Sequence, residues 1–152
     1  MQKDKVDIEE LLNQGTVIQI HPEGYSMYPM FIPGRDEAVI QKAVLAELKR
    51  GDVVLYRRKS GMLVLHRIWK RKQDGFYMVG DNQTEIEGPL EESQIKGILR
   101  AFIRKGRRIE VTQPIYRAAS RLWLFLRPFR HPIMKAAAIG KKAVLAVKRK
   151  KI

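Results

Sequence analysis

The chain contains no cysteine, which excludes thiol catalysis, disulfide staples and thiolate metal sites. Histidine is scarce: positions 21, 66 and 131 show no ligand spacing and no HExxH run, so neither a zinc centre nor any other cofactor is expected. No stretch reaches the roughly 18 apolar residues that span a bilayer. The first five residues, three of them charged, lead into an acidic segment without the apolar core of a secretory signal. These traits suit a peripheral membrane-associated or cytoplasmic protein. Acidic residues stop at Glu110. Beyond it six lysines and five arginines put +11 of the net +14 into the last 41 residues, so the basicity belongs to a tail and not to the front of the chain.

What remains is enough for a folded core. A length of 152 residues with 45% hydrophobic content fits one domain and a modest appended segment. Residues 6–13 read as a short helix with an apolar stripe of Val6, Ile8, Leu11 and Leu12, acids Asp7, Glu9 and Glu10 near its start, and Gly15 as its cap. Strand-like runs follow at 16–21, 38–40, 53–57, 62–69, 76–79, 95–103 and 108–112, with Lys59-Ser60-Gly61 and Gln73-Asp74-Gly75 as hairpin connections. In the fourth run Met62, Val64, His66 and Ile68 share one face. From Pro114 the pattern turns helical, at 115–126 and 133–148, with Pro128 and Pro132 as breaks. The expected architecture is mainly β: a compact antiparallel domain over 1–113 with a short N-terminal helix, and a basic amphipathic helical tail over 114–152.

The chemistry concentrates in Gly24-Tyr25-Ser26-Met27-Tyr28-Pro29, where one serine sits in a turn confined by glycine and proline. A serine hydroxyl is a poor nucleophile unless a base within hydrogen-bond reach takes its proton. The best candidate base is His66, forty residues on, in the strand-like Leu65-His66-Arg67-Ile68. A carboxylate on the second ring nitrogen would fix the tautomer. Asp81, in Gly80-Asp81-Asn82, is the first candidate for it and Asp52 the second. Tyr25, Met27, Tyr28, Met30 and Phe31 suit a substrate groove or a core equally well.

These segments, together with Lys49-Arg50-Gly51-Asp52-Val53-Val54 and the trailing Ile95-Lys96-Gly97, resemble in order and spacing the boxes of the signal peptidase I and LexA-like serine peptidase superfamily, over roughly residues 8–108. The resemblance implies a β-rich fold with a shallow groove, cleavage after small side chains, and a peptide or preprotein substrate bound as an added strand. It matches Ser26 to the nucleophile, His66 to the position of the general base, and Asp81 to the acid. Gly24, Tyr25, Met27 and Pro29 fall in the substrate-binding stretch. His66 stands where many relatives carry lysine, as in the archaeal and endoplasmic-reticulum branch. Where that branch has further aspartates after the Gly-Asp-Asn box, a second acid here would be Glu85 or Glu87. The implied activity is a serine endopeptidase that processes a leader or precursor peptide; the alternatives are a non-catalytic or self-cleaving LexA-like regulator, or a nucleic-acid-binding protein.

Three readings of the tail stand side by side. It lies on an anionic membrane surface with Trp123 and Phe125 as interfacial anchors, or grips nucleic-acid phosphates, or packs its first helix on the β domain. No recognition motif accompanies the charge, which points away from nucleic acid.

Overall fold

The structure, a computed structural model, describes residues 7–150. It is built on one antiparallel sheet. The strands are β1 (Ile18–Ile20), β2 (Asp36–Lys42), β3 (Val53–Arg57), β4 (Leu63–Lys72), β5 (Gly75–Val79), β6 (Glu87–Leu90), β7 (Ile95–Arg104) and β8 (Arg107–Glu110). Their order is β1-β2-β7-β3-β4-β5-β6, with β8 also on β7. Period-two alternation divides the sheet's apolar side chains between two faces. On β3, Val53 and Leu55 join a cluster with Leu12, Met27, Phe31 and Leu65, while Val54 and Tyr56 join one with Ile68, Phe76 and Met78.

The first helix, α1 (Ile8–Asn13), begins later than its apolar stripe suggests. Asp7 is the N-cap, its carboxylate accepting the N–H groups of Glu9 and Glu10, and Val6 lies outside the described residues. Gly15 takes the left-handed conformation after the helix at φ 83°, as expected of a cap. The strand β6 has no apolar alternation. Its Glu-Gly-Pro-Leu pairs only with β5, and a sheet edge is where a proline without an N–H is tolerated.

The tail forms α2 (Pro114–Phe125) and α3 (Arg130–Lys150). Pro132 does not break α3; it lies in the first turn, where the missing N–H has no helical partner to lose. The two helices differ in environment. On α2, Ser120 and Leu124 are buried, and Tyr116 packs on Phe102 with ring centroids 5.5 Å apart. On α3 every residue from Lys135 to Arg149 is exposed. Trp123 turns inward, its indole N–H donating to the Asp81 carbonyl at 2.7 Å. That corrects its reading as an interfacial anchor. Phe125 is 74% exposed. Among the described residues no helix is long and apolar enough to cross a membrane.

Candidate active site

Ser26 sits in the long loop between β1 and β2. Phe31 N–H bonds back to the Met27 carbonyl and Tyr28 N–H to Tyr25. The far end of the loop is anchored by Asp36. Its buried carboxylate accepts the Ile32 N–H and the guanidinium groups of Arg35 and Arg104. Burial alone would raise the Asp36 pKa, but those donors outweigh it and hold it at about 2. The serine itself is held from the other side. Asn82 N–H donates to the Ser26 carbonyl at 2.8 Å, and a Cβ on Gly80 would stand 2.6 Å from that same oxygen. The Gly80-Asp81-Asn82 turn is thus the seat of the serine loop.

His66 lies in the middle of β4 and is 2% exposed. Ser26 and His66 line one cavity of about 280 Å³, together with Gly24, Met27, Leu63 and Gln83. Among the described residues no hydrogen bond joins Ser26 Oγ to the imidazole; such bonds commonly tighten only with substrate bound. Of the other expected substrate-binding residues, Tyr25 and Pro29 do not line this cavity. Tyr25 is 64% exposed. Met27 both lines the cavity and belongs to the core.

The partner of the second ring nitrogen differs from expectation. Asp81 is fully buried, but both its oxygens are bonded at 2.8 Å to Nε and Nη2 of Arg67. Arg67 follows His66 on β4, so its side chain leaves the sheet on the opposite face. A guanidinium with no exposed surface requires a counter-ion, and Asp81 supplies it. Asp52, the other candidate, accepts the Lys49 N–H at the turn before β3. What meets His66 Nδ1 is the hydroxyl of Tyr56 at 3.0 Å, and that hydroxyl reaches Glu87 Oε2 at 2.7 Å. Glu87 also takes a two-pronged pair of bonds from Arg58, both at 2.8 Å. Burial pushes the Glu87 pKa up, but hydrogen bonds from Arg58 and Tyr56 prevail and lower it.

This chain of bonds sets the tautomer. An ionised Glu87 can only accept, so Tyr56 spends its one proton on Glu87. The tyrosine oxygen must then accept from His66, which puts the ring proton on Nδ1 and leaves Nε2 as a bare acceptor. Burial lowers the His66 pKa to about 4, partly opposed by the charge of Glu87. At neutral pH the ring is therefore uncharged.

Tyr56 and Arg58 were not singled out by sequence reasoning, although a signal exists. In the β3–β4 hairpin Val54 faces His66, so Tyr56, two residues on, points to the same side within diagonal reach. Among the described residues no group of His, Asp and Glu could hold a metal ion. Comparison with protein-family models, with curated proteins and with solved structures finds no match to this chain.

Proposed function

We propose that the protein is a serine endopeptidase of signal-peptidase-like type, with Ser26 as nucleophile and His66 as general base, cleaving a leader or precursor peptide at a membrane surface. The observation that carries this reading is that Ser26 shares a cavity with His66, whose Nδ1 lies 3.0 Å from the Tyr56 hydroxyl. Ser26 Oγ attacks the scissile carbonyl carbon while its proton passes to His66 Nε2. The imidazolium returns that proton to the departing amine as the C–N bond breaks, leaving an ester on Ser26. Water, giving its proton to the same Nε2, releases the acyl fragment and restores the hydroxyl. In the imidazolium stage the Glu87 carboxylate, 3.9 Å from Nδ1, supplies the opposing charge that the resemblance assigned to Asp81. The apolar wall of the cavity, with Ile20, Leu55, Leu63 and Leu65, suits an uncharged peptide side chain.

The membrane half of the reading rests on the exposed basic helix α3. The test of the chemistry is labelling by a fluorophosphonate and cleavage of candidate precursors. Wild type is expected to react. Ser26→Ala abolishes labelling, and His66→Ala slows it by roughly 10²-fold or more. Undiminished cleavage by either variant ends the assignment.

A further inference from the structure

The turn that seats the serine loop has its own support, and besides the Arg67–Asp81 pair and the Gln83 N–H bond to the Gly80 carbonyl that support comes from the tail. After β5 the chain leaves the sheet, and its carbonyls lose their strand partners. Buried carbonyls need donors from elsewhere. The Gly80 oxygen accepts from Arg130 Nη1 at 2.8 Å, and the Gln83 oxygen accepts from the same atom at 2.7 Å. The Asp81 oxygen accepts the Trp123 indole N–H, and the Thr84 oxygen accepts Arg127 Nη1. Arg130 is only 1% exposed although it carries a charge. It also donates through Nη2 to the Trp123 carbonyl at 3.0 Å, and its guanidinium lies 5.5 Å from the Trp123 ring centroid. In this web α2 and the first turn of α3 grip one side of the turn, while Asn82 N–H holds the Ser26 carbonyl on the other.

We infer that the junction of α2 and α3 is a clamp that positions the nucleophile, with Trp123 and Arg130 as positioning residues acting on Ser26 through the turn at 80–84. The inference rests on Ser26 being the nucleophile. It divides the tail by function: the part up to His131, whose Nε2 lies 3.1 Å from Thr84 Oγ1, belongs to the active site, and the exposed remainder of α3 does not. A solvated basic face does not require a guanidinium buried under two loop carbonyls; a rigid seat for a loop does.

The experiment uses the full chain with Trp123→Phe, which keeps a packed ring and removes one donor, and Arg130→Lys, which keeps the charge and loses the forked geometry. Three quantities are read: melting temperature, hydrogen exchange of the Asn82 amide, and the rate of Ser26 acylation by a fluorophosphonate. Trp123→Phe is expected to speed Asn82 exchange and to slow acylation by about tenfold, the scale of one lost hydrogen bond, with kcat reduced and KM held in peptide cleavage. Arg130→Lys moves the same readouts further. If one variant does not fold, the other carries the test. Unchanged exchange and acylation in a folded variant overturn the clamp. Faster exchange in a protein whose wild type never labels overturns the reading of Ser26 as nucleophile instead, and with it the clamp's catalytic meaning.

Discussion

In the proposed mechanism His66 is a base prepared by groups that are not themselves reactive. The ring is almost without solvent contact, so burial opposes its charge and takes the pKa to about 4. A hydroxyl shared with a carboxylate then decides which nitrogen carries the proton. Two consequences follow for pH dependence. The active form is the neutral ring, so kcat/KM should fall as pH drops through about 4, and not near the ordinary histidine value of about 6.5. Glu87 raises the ring pKa, so Glu87→Gln should move that limb to still lower pH. Tyr56→Phe removes the acceptor from Nδ1 and frees the other tautomer; kcat should drop by roughly 10²-fold, the scale of a general base lost or misdirected, with KM little altered. A pH–rate profile on the three proteins checks this, and a limb near pH 6.5 in wild type would refute the buried-base account.

At the level of elements, legibility in the sequence followed whether the signal was local. Alternation and turn residues marked β3, β5 and β7 to within about a residue, because each strand has one periodic pattern bounded by a glycine turn or a charged break, whereas β4 runs three residues past its expected end at 69, through the charged Lys70-Arg71-Lys72. The helical tail was readable from its period as well, although α3 starts three residues before the expected position because Pro132 fits its first turn. β6 carried no such pattern. The Ser26 and Gly80-Asp81-Asn82 segments were legible as motifs, whereas the partners of their side chains depended on sheet order. Glu87 meets Tyr56 although β6 lies three strands from β3 in the sheet order, a contact no local pattern reveals. Asp81 pairs with Arg67 because the two are buried together, which alternation along β4 could have foretold: a charge facing opposite His66 needs an acid. The turn at the end of β5 yields a further test. A methyl on Gly80 would meet the Ser26 carbonyl at 2.6 Å and the Gln83 side chain at 2.7 Å, both inside normal contact. Gly80→Ala should therefore destabilise the fold by about 1–3 kcal/mol and displace the serine loop, lowering activity more than the lost stability accounts for. Urea unfolding with an acylation assay at the same temperature separates the two effects; a variant as stable and as reactive as wild type would mean that the loop is not seated there.

Across the whole molecule, the tail's contacts with the rest of the chain fade over the first turn of α3. At the junction of the two helices two arginines are committed: Arg127 to the Thr84 carbonyl and to the Trp69 ring, Arg130 to the turn beneath it. Past Met134 each residue as far as Arg149 stands in solvent. There the helix has a face of Ala136, Gly140, Val144 and Val147, and another of Lys135, Lys142 and Arg149 at intervals of seven. Ile139, Val144, Leu145 and Val147 are each more than half exposed, so the helix carries apolar surface that nothing among the described residues covers. Cations flanking an uncovered apolar face match the interfacial helix, for which anionic headgroups supply the charge and the acyl boundary the apolar contact. Each cation near such a surface contributes about 1 kcal/mol, so replacing Lys135, Lys141, Lys142 and Lys148 by glutamine should weaken binding to vesicles rich in anionic lipid by roughly 10³-fold. Wild-type binding should also fall as salt rises and vanish on zwitterionic vesicles. Because these side chains touch neither the turn nor the cavity, acylation of Ser26 in solution should be the same in the variant as in wild type. Binding indifferent to lipid charge would remove the membrane from the account and leave the peptidase chemistry untouched, whereas loss of acylation in the same variant would show that the outer part of α3 also supports the site.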